Sequence, residues 1–328
     1  TAVFKGADLV DHQTFGYMDL ETRQPLRDDA IYRMASNTKI VTSVALMMLQ
    51  ERGLFELDDP LAKFLPEFGD MQVLQPNANS ATDVSPAANL ISVRHLLSHS
   101  AGLSYGFVEP DSLIDQTYLN NGVNGLGEQE IDLEELCLRI AKLPLAFEPG
   151  TSWRYSFATD VCARLVEVLS GLSYDVFLRQ YIFDPLGMVD TDFWVPEEKA
   201  DRLITLYSPQ DLFDPMKPGL HKAGDVITGP YTAKPTMLSG GGGLVSTVAD
   251  YSAFLRMIVN AGEWSGVRLL KPETLQSMRS NHLADGVQVA FPMGVMPGPV
   301  FGLGFAVKNQ LQPNDHAAAL GEYHWGGL

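Results

Sequence analysis

A serine and a lysine three positions apart are the first candidates for chemistry in this chain: Ser36 and Lys39, in RMASNTKIVTSVALMMLQERG, residues 33–53. A serine hydroxyl is a weak nucleophile unless a neighbouring group takes its proton. On a helix, residues i and i+3 lie on one face, so the amine of Lys39 would reach the hydroxyl of Ser36. This spacing is weak evidence by itself, because about one such pair is expected by chance in a chain of this length. The alternative is the polar first turn of an ordinary helix.

A tyrosine, Tyr155, follows the Pro-Gly loop of FEPGTSWRYSFATDVCARLVEVLSG, residues 147–171, and precedes a helical pattern. A phenol held close to a lysine cation loses its proton more readily. Tyr155 beside Lys39 would therefore accept the proton of Ser36 and later give it to the leaving group. The alternative is an aromatic side chain that packs at the start of a helix.

A third element, EYHWGGL, covers residues 322–328. Glycines in a strand let a ligand come close to the backbone. A strand N–H at such a place can join the N–H of the nucleophile in holding an oxyanion. The alternative is a pair of glycines that only forms a bulge.

Hydrophobic patterning predicts the elements that would position these residues. Residues 1–20 mix β-branched and aromatic residues around a polar break, which predicts a hairpin of two strands. From Thr38 onward apolar residues recur at helical spacing until Gly53, which suits the left-handed turn after a helix. Further helical patterns follow at residues 93–100, 128–143, 160–171, 174–187 and 247–262.

Two stretches rich in Pro, Asn, Asp and Gly, residues 75–89 and 208–225, predict long loops of the kind that border a pocket. After the glycine run from Gly240 to Gly243 the chain returns to short strand-like pieces, at residues 300–309 and 322–328.

This order of strands, helices and strands predicts an α+β fold in which a helical domain is inserted between the two halves of a sheet domain. We expect the sheet domain to comprise residues 1–60 and 226–328, and the mainly helical insertion to comprise residues 61–225. A cleft between the two domains would be the natural ligand site.

Charge and composition exclude several classes of function. With 45% hydrophobic and 19% charged residues the chain is a globular protein, and its net charge of −17 disfavours nucleic acid as a partner. The two cysteines, Cys137 and Cys162, read as small buried hydrophobes, which argues against a disulfide framework or a cysteine metal site. His95 and His99 have metal-ligand spacing, but with no third ligand in view packing or capping is the better interpretation.

Localisation is expected to be cytoplasmic. No stretch approaches the roughly 20 apolar residues of a membrane span, and the first residues do not form a basic and then apolar signal sequence. The sequence opens without Met, however, so a secreted or periplasmic protein with a removed leader stays open.

A second candidate nucleophile is Ser104, because residues 102–106 match the G-x-S-x-G elbow of α/β-hydrolases and His324 lies downstream. That elbow needs a strand before the serine and a helix after it. Here a helical pattern precedes Ser104 and no alternating strands and helices surround it. We therefore expect Ser104 not to be catalytic, and His324 to be a strand residue near the cleft.

Taken together, the motifs resemble those of the class C β-lactamase and DD-peptidase superfamily. The likeness rests on Ser36-x-x-Lys39, Tyr155-Ser156-Phe157 and Trp325-Gly326-Gly327 in this order, with support from LISVRHLLSHSAGL (90–103), GGGGLVSTVADYSAFLRMI (240–258) and FGLGF (301–305). The resemblance covers nearly the whole chain. It implies a β-lactamase/transpeptidase-like fold with an antiparallel sheet flanked by helices. It also implies Ser36 as the acylated nucleophile, and Lys39 and Tyr155 as general base and acid, without metal or organic cofactor.

Two positions depart from the β-lactamase pattern of Tyr-x-Asn and Lys-Thr-Gly or His-Thr-Gly. Phe157 replaces the amide that would bind a β-lactam side chain, and Trp325 replaces the cation that would pair with a carboxylate. A tryptophan offers apolar surface and one N–H donor instead. The chain therefore most closely resembles the family VIII carboxylesterases.

The resemblance implies an esterase that acts on small acyl esters, with a substrate pocket of Phe157, Trp325, Gly326 and Gly327. The oxyanion hole would be the backbone N–H groups of Ser36 and Leu328. A β-lactamase, a D-amino-acid peptidase or an acyltransferase of the same fold is the alternative, and so is a non-catalytic scaffold. The oligomeric state stays open.

Relatives carry further strands and a closing helix after the third motif, and another helix before the first strand. Because the sequence ends at Leu328, we expect it to be a portion of a longer protein.

Overall fold

The computed structural model describes most of the chain. The described residues are 1–6, 8–125, 130–210, 216–223, 230–291, 294–295, 298–313, 315 and 319–327. Helices and small antiparallel sheets alternate through them, which confirms the predicted α+β class. Among the described helices, none is long and apolar enough to cross a membrane.

The helices follow most of the predicted patterns, with bounds that differ by a few residues. In chain order they are α1 Thr38–Glu51, α2 Val93–Leu97, α3 Leu113–Asn120, α4 Leu133–Ile140, α5 Ala158–Ser170, α6 Tyr174–Leu178, a π-helical segment Arg179–Phe183, α7 Asp184–Leu186, α8 Val248–Val259 and α9 Pro272–Met278.

Two helices, α3 and α9, were not predicted, although both begin at recognisable sites. The side chain of Ser112 accepts a hydrogen bond from the backbone N–H of Asp115 and caps α3. Pro272 occupies the first turn of α9, where its missing N–H costs nothing. The pattern at 93–100 ends early because His99 has a φ of 57°, which a continuing helix does not allow.

The strands are short. In chain order they are β1 Ala2–Lys5, β2 Asp8–His12, β3 Tyr17–Asp19, β4 Gln24–Pro25, β5 Ile31–Arg33, β6 Gln72–Leu74, β7 Val84–Pro86, β8 Tyr207–Pro209, β9 Leu220–Lys222, β10 Val245–Thr247, β11 Glu263–Trp264, β12 Val267–Arg268, β13 Ala290–Phe291, β14 Gly294–Val295, β15 Pro299–Phe301, β16 Ala306–Lys308 and β17 Tyr323–His324.

All strand pairs between the named strands are antiparallel. The predicted hairpin at the start of the chain is confirmed, with Ala2 opposite His12. The strands β15, β16 and β17 form a three-stranded sheet in that order, and β5 pairs with β10. The predicted loops at 75–89 and 208–225 are partly wrong, because β7 lies in the first, and β9 and the end of β8 lie in the second. Residues 211–215 and 224–225 of the second loop lie outside the described residues.

The centre of the molecule is α1, in which only the last two of its 14 residues are not buried. It packs against α5, and its polar side chains find partners: Thr42 Oγ1 donates to the carbonyl of Gly240 at 2.7 Å. One large core joins residues of the expected sheet and helical parts, from Ile40 to Val307. The division into domains 1–60 with 226–328, and 61–225, stays a prediction.

Candidate active site

Ser36 lies in a tight turn between β5 and α1. The turn is a short 3-10 helix, Ala35–Asn37, and Ser36 itself is half-buried. Ala35 has a φ of 42°, in the left-handed region that costs a residue with a side chain about 1 kcal/mol or more. The backbone before it is held by a hydrogen bond from the N–H of Met34 to the carbonyl of Leu244, 2.8 Å. The sharp turn leaves the Ser36 hydroxyl at the N-terminal end of the central helix.

The structure brings Ser36, Lys39 and Tyr155 together. The Nζ of Lys39 donates to Ser36 Oγ at 3.2 Å, and the Tyr155 hydroxyl donates to the same oxygen at 2.5 Å. Lys39 is only 3% exposed, and its Nζ also donates to the carbonyl of Gly241 at 2.5 Å. The same nitrogen lies 4.6 Å from the centre of the Tyr155 ring. One oxygen therefore receives two donors that can exchange a proton with it.

Tyr155 is fixed by the segments on either side of it. The N–H of Arg154 donates to the carbonyl of His99 at 2.9 Å, and the N–H of Phe157 donates to the carbonyl of Ser104 at 3.2 Å. The ring of His99 lies 5.2 Å from that of Tyr155. Burial, together with the charge of Lys39, holds the pKa of His99 well below its usual range. His99 is therefore a neutral packing partner of Tyr155 at pH 7.

The third motif lies beside this group. The ring of Trp325 is 5.4 Å from that of Tyr155 and 6.2 Å from that of Phe291. Gly327 touches the turn of Ser36, since a Cβ there would lie 2.5 Å from the carbonyl oxygen of Met34. Gly326 faces open space. The segment after β17 thus runs along the turn of the nucleophile candidate, with aromatic surface next to it.

Two predicted site residues have a different outcome. Phe157 is 1% exposed, and its ring packs on Tyr105 and Tyr118. A side chain so deeply buried offers almost no surface to a substrate, and its place in the pocket wall stays a prediction. Leu328, the second expected oxyanion donor, lies outside the described residues.

An acidic residue, Asp160, was missed. It is 1% exposed and lies in the first turn of α5. Its Oδ1 accepts from Ser239 Oγ at 2.6 Å and from the N–H of Gly241 at 3.0 Å, the residue whose carbonyl binds Lys39. Burial raises the pKa of Asp160, and the charge of Lys39 opposes the shift. A lone carboxylate on the apolar face of a predicted helix was the available signal.

The rival nucleophile Ser104 is fully buried and held in an ion network. Its hydroxyl donates to Asp115 and accepts from Arg154 Nε at 2.7 Å. These two partners of Ser104 include no histidine. His324 lies in β17, where its Nδ1 is 4.0 Å from Glu322 Oε1. The G-x-S-x-G match is therefore structural, as predicted.

His95 and His99 have separate structural roles. His95 Nδ1 accepts from the N–H of Ser92 and completes a capping box at the start of α2. His99 Nδ1 lies 3.3 Å from Ser156 Oγ within the aromatic cluster. Within the described part of the chain, no group of three or more His, Cys, Asp or Glu side chains is placed to hold a metal ion.

Several known proteins are similar to this chain in sequence, and solved structures are similar to it in fold. Esterase EstB of Burkholderia gladioli is 28% identical across 99% of this chain and 79% of its own length. Lovastatin esterase of Penicillium rubens is 30% identical across 93% of this chain and 76% of its own length. Among solved structures, "EstCE1, a hydrolase with promiscuous acyltransferase activity" superposes with a TM-score of 0.74 at 26% identity, covering 92% of this chain and 75% of that one.

The comparison with family models covers the whole chain. The family model described as Beta-lactamase matches residues 1–328. Together with the superposed structure of EstCE1, this match confirms the predicted β-lactamase/transpeptidase-like fold. On this evidence the chain belongs to the Beta-lactamase family of serine hydrolases, whose members include esterases and acyltransferases.

Proposed function

We propose that this protein is a carboxylesterase that works through an acyl-enzyme on Ser36. The observation that carries the proposal is the single oxygen, Ser36 Oγ, that receives hydrogen bonds from both Lys39 and Tyr155. A buried amine and a phenol that both contact one hydroxyl can activate it for acyl transfer, whereas a non-catalytic scaffold has no need of this arrangement. The esterase names of two relatives support the same activity.

In the acylation step, Ser36 Oγ forms a bond to the ester carbonyl carbon. Its proton passes to the Lys39 and Tyr155 pair, one of which must first be in its basic form. The tetrahedral intermediate then collapses, the carbon–oxygen bond to the alcohol breaks, and Tyr155 returns the proton to the leaving oxygen. The backbone N–H groups of Ser36 and Leu328 are the proposed donors to the oxyanion.

Water completes the cycle by the same route in reverse. A water molecule loses a proton to the Lys39 and Tyr155 pair and attacks the acyl carbon. The bond to Ser36 Oγ breaks, the proton returns to that oxygen, and the carboxylic acid leaves. The two steps together consume one water and release one alcohol and one carboxylic acid, with Ser36, Lys39 and Tyr155 returned to their starting states.

The third motif favours a neutral ester over an anionic β-lactam. Trp325 stands where a cation would pair with the carboxylate of a penicillin or a peptide, and its Nε1 is buried without a hydrogen-bond partner among the described residues. Its ring joins Phe291 and Tyr155 in an aromatic wall. Such a wall binds apolar groups and leaves a carboxylate unpaired.

Acyl transfer to an alcohol is a second candidate. An alcohol in place of water would take the acyl group from Ser36 and give a new ester with the same proton transfers. The acyltransferase activity named for EstCE1 supports it, and so does the presence of an acyltransferase of Penicillium decumbens among the similar proteins. Adding an alcohol to the ester assay and measuring the ratio of new ester to free acid separates the two outcomes.

The experiment compares two serine variants on p-nitrophenyl butyrate. Ser36→Ala removes the proposed nucleophile, so hydrolysis should fall to background. Ser104→Ala removes only a buried structural hydroxyl, so hydrolysis should remain. Loss of activity in Ser104→Ala with retention in Ser36→Ala overturns the proposal. Nitrocefin in parallel tests the preference for esters.

A further inference from the structure

Asp160 fixes the segment to which Lys39 is bound. One carboxylate oxygen accepts from the Ser239 hydroxyl and from the N–H of Gly241, and the other accepts from the Tyr105 hydroxyl at 3.4 Å. The carbonyl of Gly241 in turn accepts from Lys39 Nζ at 2.5 Å. Asp160 on α5 and Lys39 on α1 thus hold opposite ends of the same residue.

Two positions of the segment, Gly240 and Gly241, leave no room for a side chain. A Cβ on Gly241 would lie 2.5 Å from both Asp160 Oδ2 and Tyr105 Oη, and a Cβ on Gly240 would lie 2.6 Å from that of Ala163. Atoms at such distances overlap. The carbonyl of Gly241 therefore has one position, set by its contacts with α5.

Charge adds to geometry at this site. The three groups that contact the Asp160 carboxyl all donate hydrogen bonds to it, which fits an ionised carboxylate. Burial of such a charge is costly unless a cation compensates it. Lys39 is the cation that acts on it. A carboxylate favours the charged form of a nearby amine.

The other titratable groups around this pair stay neutral near pH 7. Burial raises the pKa of Tyr105, Cys162 and Tyr174 and lowers that of His99. Tyr155 is the remaining neighbour and is the proposed partner of Lys39 in proton transfer.

We propose that Asp160 is a positioning residue for Lys39: it fixes the Gly241 carbonyl that orients the amine, and its charge sets the pH range in which the amine activates Ser36. The inference rests on the proposed function, in which Lys39 takes part in proton transfer. Asp160 itself touches neither Ser36 nor a substrate; it acts through Gly241 and through its charge.

The first test is Asp160→Asn, which removes the charge and keeps an oxygen for Ser239 and Gly241. Without the carboxylate less negative charge opposes the loss of a proton from the Lys39 and Tyr155 pair, so the acid limb of the pH profile of kcat/KM should move down by about one unit. Activity on that limb then rises about tenfold relative to the value at the optimum. An acid limb that stays in place or moves up overturns the electrostatic part.

The second test is Asp160→Ala, which removes the anchor as well. The amine is then free to move by about 1 Å, so kcat should fall about 100-fold while KM changes little, and Asp160→Asn should retain most of kcat. Equal losses in the two variants, or no loss in Asp160→Ala, overturn the positioning part. Asp250→Asn is the matched control: this buried carboxylate binds Thr191 and the N–H of Asp190, so the pH profile should not move.

A fluorophosphonate separates this inference from the proposed function. The rate at which the probe labels Ser36 is measured against pH in wild type and Asp160→Asn. If wild type cleaves no ester but labelling shifts to lower pH in Asp160→Asn, the esterase proposal fails and the role of Asp160 stands. If ester is cleaved and neither profile shifts, only the inference fails.

Discussion

Replacement of Gly241 by alanine should disable the enzyme without a change in any side chain of the proposed catalytic group. The new Cβ would lie 2.5 Å from Asp160 Oδ2 and from Tyr105 Oη, whereas ordinary contact begins near 3.4 Å. Either the segment or the buried side chains of Asp160 and Tyr105 must therefore move by about 0.9 Å. Because Asp160 also binds the N–H of Gly241, either shift displaces the carbonyl that binds Lys39. A misplacement of this size costs about 100-fold in kcat, or about 2.7 kcal/mol.

Gly242→Ala is the matched control, because it changes the next residue of the same run. There the nearest atom to a new Cβ is the carbonyl carbon of Ala35 at 3.8 Å, an ordinary contact. The assay is kcat and KM on p-nitrophenyl butyrate, with thermal unfolding of both variants to confirm that they fold. A folded Gly241→Ala with the kcat of Gly242→Ala would refute the reasoning.

Three further predictions follow from the same contacts. Tyr155→Phe removes the hydroxyl at Ser36 Oγ, so kcat should fall by about 10²–10⁴-fold with little change in the free energy of unfolding; an unchanged kcat would contradict the proton-transfer role. Asp115→Ala leaves Arg154 without its buried partner and should lower the free energy of unfolding by about 3–5 kcal/mol in urea titrations, while a fluorophosphonate still labels Ser36. The pKa of His99 is lowered on folding, so the unfolded chain binds a proton at His99 at a higher pH than the folded chain does. The free energy of unfolding should therefore fall as pH drops below about 6.5. His99→Asn should reduce the slope of the free energy of unfolding against pH by up to about 1.4 kcal/mol per pH unit.

Helices whose apolar residues recur on one face could be predicted from the sequence. Elements whose ends are set by contacts with distant residues could not. The helix after Thr38 is visible because its apolar residues recur at helical spacing. The end of α2 is not, because it depends on the left-handed backbone of His99, which distant packing imposes. Strands of two or three residues, such as β7, are too short for a pattern of alternation to stand out.

The candidate site shows the same limit. Ser36 and Lys39 are three residues apart, so helix geometry alone predicts their contact. Their contact with Tyr155, 119 positions from Ser36, followed from the resemblance and not from the local pattern. The partnership of Asp160 with Gly241 joins α5 to a glycine run 81 positions away. Spacing carries no information about such a contact, which arises only when α1 and α5 pack together.

The central claim is that Ser36 carries the acyl group. The most direct measurement is mass spectrometry of the protein quenched during turnover of p-nitrophenyl butyrate, with peptide mapping of the added mass. We expect one butyryl group per chain on the peptide that contains Ser36, and no adduct in Ser36→Ala. An adduct on the peptide of Ser104, or turnover by Ser36→Ala at the wild-type rate, would contradict it.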